Sequence, residues 1–168
     1  MKAELKAKFL QHLNQKKQDE GFTLIELVMV LVLIGIMSAL ALPSLLSRAA
    51  KAKQSEAKTF VGAFNRAQQA YRMENTSFAP DATTLKIGLS TDTENYTYPI
   101  TSDTAKALVQ AKAKDETLKS YAGGVVVMPS GVTTAAACQT TDVSTTPPDV
   151  NLSSIDGASC KSMENYMN

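Results

Sequence analysis

Few residues in this sequence have a type and spacing that could do chemistry. His12 is the single histidine, Cys138 and Cys160 are the two cysteines, and Glu26 is the one charged residue between Phe22 and Leu42. Glu26 demands the most explanation. The 21 residues from Phe22 to Leu42 are otherwise apolar except for Thr23 and Ser38, and as a helix they would extend about 31 Å, the thickness of a bilayer core. A carboxylate costs about 2.5–3.5 kcal/mol at the centre of a bilayer and less toward a helix end, where Glu26 sits. It still calls for a counter-charge. The nearest candidate is absent from the uncut chain: the α-ammonium that Phe22 would gain if the bond after Gly21 were cleaved.

Gly21-Phe22-Thr23-Leu24-Ile25-Glu26, preceded by a lysine-bearing leader and followed by apolar residues to Pro43, resembles the signature of type IV pilin precursors. The resemblance implies cleavage between Gly21 and Phe22 by prepilin peptidase and N-methylation of Phe22. Glu26 would then pair with the Phe22 amine of a neighbouring subunit. Gly35 and Pro43 match positions bounding a stretch that loses helicity in assembled filaments. Their chemistry agrees, because glycine costs about 1 kcal/mol and proline about 3 kcal/mol inside a helix.

Two other readings of the segment fit less well. In a plain single-pass anchor, Glu26 would have no purpose. A secretory signal would use Ala39-Leu40-Ala41, but its apolar region would run only about 7–15 residues and would not carry an acid. Charge does not orient the segment, since Lys2, Lys6, Lys8, Lys16 and Lys17 before it nearly balance Arg48, Lys51, Lys53 and Lys58 after it. The resemblance places the leader inside and the body outside.

The organisation expected is a cleaved leader at 1–21, with Phe9, Leu10 and Leu13 on one side, an apolar transmembrane and filament-core helix at 22–43, and a globular head at 44–168. Removing the leader changes the formal charge from +1 to −1, because five lysines leave with Glu4, Asp19 and Glu20. No basic footprint for nucleic acid results. The leader also takes His12 with it, which removes histidine-based nucleophile sets and imidazole metal ligation. No catalytic residue, cofactor or metal site is expected. With the body outside the cytoplasm, Cys138 and Cys160 are expected to form a disulfide. It would close a loop of about 23 residues, a constraint of about 3 kcal/mol.

Past Pro43, Leu45, Ala49, Ala52, Phe60, Phe64, Ala67 and Tyr71 mark one face of a continuing amphipathic helix over 44–74. Asn75 supplies a stop through its tolerance of a left-handed turn. Residues 76–93 form a loop, with a turn around Leu85 to Leu89. Strands follow at Tyr96–Ile100, Ala105–Ala113, Leu118–Met128 and Val132–Gln139, the third bulged or bent at Gly123-Gly124. The fold class is therefore α+β: a long N-terminal helix, transmembrane in one half and amphipathic in the other, packed on a small four-stranded antiparallel sheet, with a disulfide-bounded C-terminal loop. That loop, rich in Ser, Thr and Asp, has too few apolar residues to hold itself by burial. The run from Tyr96-Thr97-Tyr98 through Lys119-Ser120-Tyr121 to Cys138 is most similar to cyanobacterial major pilins.

The function implied is structural, not enzymatic. An inner-membrane precursor would be processed and then polymerised with identical subunits by a platform protein and ATPases. The product would be a retractable extracellular pilus serving motility, adhesion and DNA uptake. A type II secretion pseudopilin or a minor pilin shares the N-terminal signature. The disulfide-bounded tail and the lack of a C-terminal cluster of calcium-ligating acids lean toward a pilin. A membrane-anchored binding protein or enzyme lacks support, since the chain has no Gly-rich phosphate loop and no reactive-thiol motif.

Overall fold

The computed structural model describes residues 22–154, 156–161, 166 and 167. The expected leader, including Gly21 and His12, lies outside the described residues. The chain divides into two units, Met1–Leu46 and Ser47–Asn168. One helix, α1 (Leu24–Glu74), contributes to both.

In the first unit, α1 begins at a capping box. Thr23 precedes the helix, its hydroxyl accepts from the Glu26 amide at 3.3 Å, and the Glu26 carboxylate accepts from the Thr23 amide at 2.8 Å. The helix runs without interruption through Gly35 and Pro43, although Pro43 has no N–H to donate to the preceding turn.

The second unit is the head. Seven strands follow α1: β1 (Tyr96–Thr97), β2 (Ile100–Ser102), β3 (Lys106–Ala113), β4 (Tyr121–Val127), β5 (Thr133–Gln139), β6 (Val150–Ser153) and β7 (Gly157–Cys160). The first five form an antiparallel sheet in which β1 and β2 both pair with β3, β3 with β4, and β4 with β5. The expected four-stranded sheet is thus corrected to five strands plus a separate β6–β7 hairpin. The cause of the split is local. Tyr96 faces Ala113 and Ile100 faces Val109 in one unbroken register, but Pro99 cannot donate to the ladder. The Tyr98 amide turns away to Thr91 at 2.8 Å.

The buried face of α1 is Ala57, Phe60, Val61, Phe64, Asn65 and Gln68. Phe60 and Phe64 fall where the apolar stripe put them. Leu45, Ala49 and Ala52 are exposed, and Ala67 and Tyr71 are half-buried at the margin. Gln68 escapes an apolar-pattern search because its amide exchanges two hydrogen bonds, both 2.9 Å, with the Ala79 backbone. Paired in this way, it is buried without penalty. Asn75 ends the helix by donating its side-chain amide to the Tyr71 carbonyl at 2.9 Å, not by a left-handed turn, since Lys86 is the non-glycine residue with positive φ among those described.

Gly123 and Gly124 are not a bulge. Both keep regular pairing on each side, and their lack of a side chain serves close approach on opposite faces. A Cβ on Gly123 would stand 2.4 Å from Val61 Cγ1 of α1, and one on Gly124 would stand 2.8 Å from the Leu152 methyls of β6. The sheet therefore carries α1 on one face and the hairpin on the other. This corrects the expectation for the tail, which does contribute burial through Leu152 and the buried Pro148. The outer edge of β5 is covered by Tyr166, bridged to Cys138, and by Met167, whose amide donates to Ala137 at 3.0 Å.

Gly123→Ala should destabilise the head by about 1–3 kcal/mol through overpacking against Val61, measured by chemical denaturation of the detergent-solubilised chain. Adding Val61→Ala, which vacates the clashing methyl, should return part of that loss; strictly additive effects would contradict the close contact.

Candidate assembly site

The expected assembly residues of the first unit lie at the start of α1 and along it. Phe22 is 83% exposed. Thr23 donates both its amide and its hydroxyl to Glu26 Oε2, at 2.8 and 2.7 Å. No hydrogen bond among the described residues engages Oε1. The Glu26 carboxylate is thus held by its own chain through one oxygen and can accept a cation through the other. Thr23 is the residue that the sequence reading passed over, although Thr-x-x-Glu ahead of an apolar run is itself the signal of a capping box. A Cβ on Gly35 would meet nothing within 4 Å, so within this chain that glycine relieves no crowding.

In the second unit, Cys138 and Cys160 are joined by a disulfide, 22 residues apart in sequence and 5.7 Å between Cα atoms. The bond ties β7 to β5 beneath the hairpin. The Ala158 amide adds a hydrogen bond to Thr134 Oγ1 at 3.0 Å. The expected pairing is present.

One polar cluster was not anticipated. Glu56, on α1, accepts from Thr93 Oγ1 at 2.5 Å, Asn95 Nδ2 at 3.1 Å and the Tyr98 hydroxyl at 3.2 Å. The Tyr98 ring in turn stacks on Phe60 at 3.8 Å between centroids. Partial burial works to raise the pKa of Glu56, but these three hydrogen bonds outweigh it and hold the carboxyl below its ordinary value. Burial, reinforced by the Glu56 charge, pushes the Tyr98 hydroxyl well above the usual tyrosine range. The cluster fastens the 91–98 segment to the helix. Its donors come from 37 to 42 residues away, which no local pattern reveals.

Comparison with known families places this geometry. A family model described as type IV pilin-like G and H matches residues 54–160, which is most of the head. The chain belongs to this family. A second model, the prokaryotic N-terminal methylation motif, matches residues 16–42, the stretch containing Phe22, Thr23 and Glu26. Among similar proteins, the type IV major pilin protein PilA of Myxococcus xanthus is 37% identical over 51% of this chain and 38% of its own length. The type II secretion system core protein G of Pseudomonas aeruginosa is 39% identical over 38% of this chain and 45% of its own. The type IV wide pilus major component PilA4 of Thermus thermophilus is 29% identical over 54% of this chain and 70% of its own. The chain thus covers less than half the length of the first two of these relatives. This type IV pilin-like protein has an apolar N-terminal helix, a methylation motif and a disulfide, with relatives named both for pili and for a secretion system.

The Glu56 cluster has a pH signature. A carboxyl that ionises more readily in the folded state binds fewer protons there, so its stabilisation is complete above the unfolded value and is lost as the pH falls through the folded one. Glu56 should contribute fully above about pH 4.5, its ordinary value, and progressively less below. Asp81, held down to about 2 by hydrogen bonds from Thr83 and Thr84, carries the loss to lower pH still. Glu56→Gln should lower the stability of the head at neutral pH and make the acid side of its stability profile shallower. Denaturation midpoints recorded across the acid range test this, and a mutant profile parallel to wild type would contradict it.

Proposed function

We propose that this chain is the structural subunit of a type IV pilus, processed after Gly21, methylated on Phe22 and polymerised through residues 22–43. The observation that carries the reading is the apolar run that the other described residues leave uncovered, with Glu26 at its start. Every described residue from Phe22 to Ala49 is exposed. Such a surface is stable in lipid or against copies of itself. In this reading, residues 1–21 are the leader and 44–168 the head. The precursor lies in the inner membrane, prepilin peptidase cuts it, and a platform protein with its ATPases draws it into the fibre.

In the fibre, the free oxygen of Glu26 receives the Phe22 ammonium of an adjoining subunit. Gly35, with no intrachain neighbour to fill, and Pro43, with its missing rung, let the intervening helix open where packing of identical helices requires it. The fibre is extracellular, and its retraction would produce motility and adhesion, with DNA uptake as a further output. No catalytic step is part of this reading.

A second reading, a pseudopilus subunit of a type II secretion system, is favoured by the family's G and H description and by the core protein G relatives. The Cys138–Cys160 disulfide fits assembly outside the cytoplasm under either reading; the pilus reading takes its support from the major pilin relatives of Myxococcus xanthus and Thermus thermophilus.

Mass analysis of material sheared from cells should show a chain beginning at methyl-Phe22, and one beginning upstream would sink the proposal. Deleting the gene should remove surface fibres while leaving protein secretion intact, whereas the reverse outcome selects the pseudopilus. Glu26→Ala should be inserted and cleaved nearly as well as wild type yet fail to incorporate, since it leaves an ammonium without its partner at a cost of about 3–5 kcal/mol. Normal-length fibres built from the mutant alone would refute the pairing.

A further inference from the structure

The Glu56 cluster borders a cavity. A hollow of about 330 Å³ lies between α1 and the 89–98 segment, with Glu56 and Thr59 on the helix side and Leu89 and Thr93 across from them. Phe60 and Tyr98, stacked and buried, supply its inner wall, and Leu89 is 40% exposed. Every donor to Glu56 is neutral: Thr93 Oγ1 and the Tyr98 hydroxyl bond Oε1, and Asn95 Nδ2 bonds Oε2. A carboxylate offers about four acceptor positions, so one on Oε2 stays open among the described residues. Neutral donors also leave the negative charge in place, and no lysine or arginine lines the hollow. The chemistry selects an occupant. A partly buried carboxylate attracts a cation, and apolar walls suit one carried on an aliphatic stem, which describes a lysine or arginine side chain. A hard metal ion would want about six to eight oxygens, and no second carboxylate lines the hollow.

We propose that this hollow receives a basic side chain from the Arg48–Lys53 stretch of a second copy of the chain. The proposal rests on the reading of the chain as a polymer subunit, and the pairing in that reading sets the register. With the Phe22 amine of one copy at Glu26 of the next, two parallel copies are offset by four residues along α1, about 6 Å of helix. An offset along the fibre axis is common to every residue of two identical copies. Glu56 of one copy is then level with Ala52 of the other, and Arg48, Lys51 and Lys53 stand within four residues of that level. A long basic side chain spans such a distance. All three are exposed, and none lines the Glu56 hollow of its own chain. No acid falls between residues 48 and 53, so the stretch approaches Glu56 without like-charge repulsion.

The test uses the full-length chain in the producing bacterium, with the yield of sheared polymer as its readout. Thr59→Leu fills the hollow and leaves the three bonds to Glu56 intact, because the Thr59 hydroxyl donates only to the Ser55 carbonyl of its own helix, at 2.8 Å. It should lower the yield about tenfold or more, as should Arg48→Gln, Lys51→Gln and Lys53→Gln combined in one chain. Formation of the Cys138–Cys160 bond, followed by gel shift, and the amount of each variant in the membrane verify folding and insertion. Photo-leucine, a diazirine analogue close to leucine in size, incorporated at Leu89 in polymer grown through a switch from heavy to light nitrogen, should give adducts with residues 48–53 between unlike copies. Wild-type yield from Thr59→Leu or from the triple variant would overturn the contact, as would Leu89 adducts confined to one copy. Absence of polymer from the wild-type chain would instead defeat the reading of function on which this rests.

Discussion

The dominant constraint on this molecule is an apolar surface that no other described residue covers. Seventeen large apolar side chains between Phe22 and Leu46 are exposed. At about 1.5–3 kcal/mol for each side chain fully removed from water, the penalty for leaving them wet reaches tens of kcal/mol. That exceeds the stability of a whole domain, about 5–15 kcal/mol. Lipid and like helices are the two environments that remove it. Between those two, the hydrophobic effect contributes little, since lipid tails are as apolar as leucine. The choice must then turn on packing and on the few polar groups present, of which Glu26 and Thr23 are the first.

The head solves a different problem. Its sheet is small, and each face must be covered by one neighbouring element. Adjacent glycines make both coverings possible, because alternation along a strand sends Gly123 toward α1 and Gly124 toward the hairpin. On the helix side, Phe60, Phe64, Tyr96, Tyr98 and Tyr121 fill the space, and Glu56 secures the loop above them. On the other side, burial is thinner, and a covalent bond between Cys138 and Cys160 supplements it. Closing a loop of that length restricts the unfolded chain by about 3 kcal/mol.

The sequence exposed these features unequally, for physical reasons. Helix α1, strands β3 to β5 and the cysteine pair were readable because alanine content, alternation and cysteine count are local or compositional signals. The β6–β7 hairpin was not, because Val150 and Leu152 are isolated apolar residues in a stretch of Ser, Thr and Asp. Leu152 has a place to go only because Gly124 vacates it, and that pairing lies outside any window. Gln68 and Asn65 are buried by bonds to the backbone of Ala79 and Ala136, partners that periodicity cannot name. At the N-terminus, the resemblance drew attention to a counter-ion between chains, and the simpler bond from Thr23 to Glu26 within the chain went unremarked.

That intrachain bond alters the physics of the Glu26 segment. A carboxylate entering a bilayer alone would bear its full desolvation cost. Here two donors from Thr23 already satisfy one oxygen, and the cap draws the charge toward the positive end of the helix dipole. The acid can therefore wait at the start of the apolar run without a cation. In the proposed fibre, a neighbour's ammonium would meet a carboxylate already held through one oxygen by Thr23, with no hydrogen bond among the described residues on the other. The ordering entropy of the acid is met beforehand, so more of the energy of the proposed pairing would be left to hold the contact. Under the proposed function, the same residue pair would make the monomer tolerable in lipid and the pairing site pre-organised. These two demands otherwise conflict, because a charge buried well enough to be harmless alone is normally too well satisfied to seek a partner.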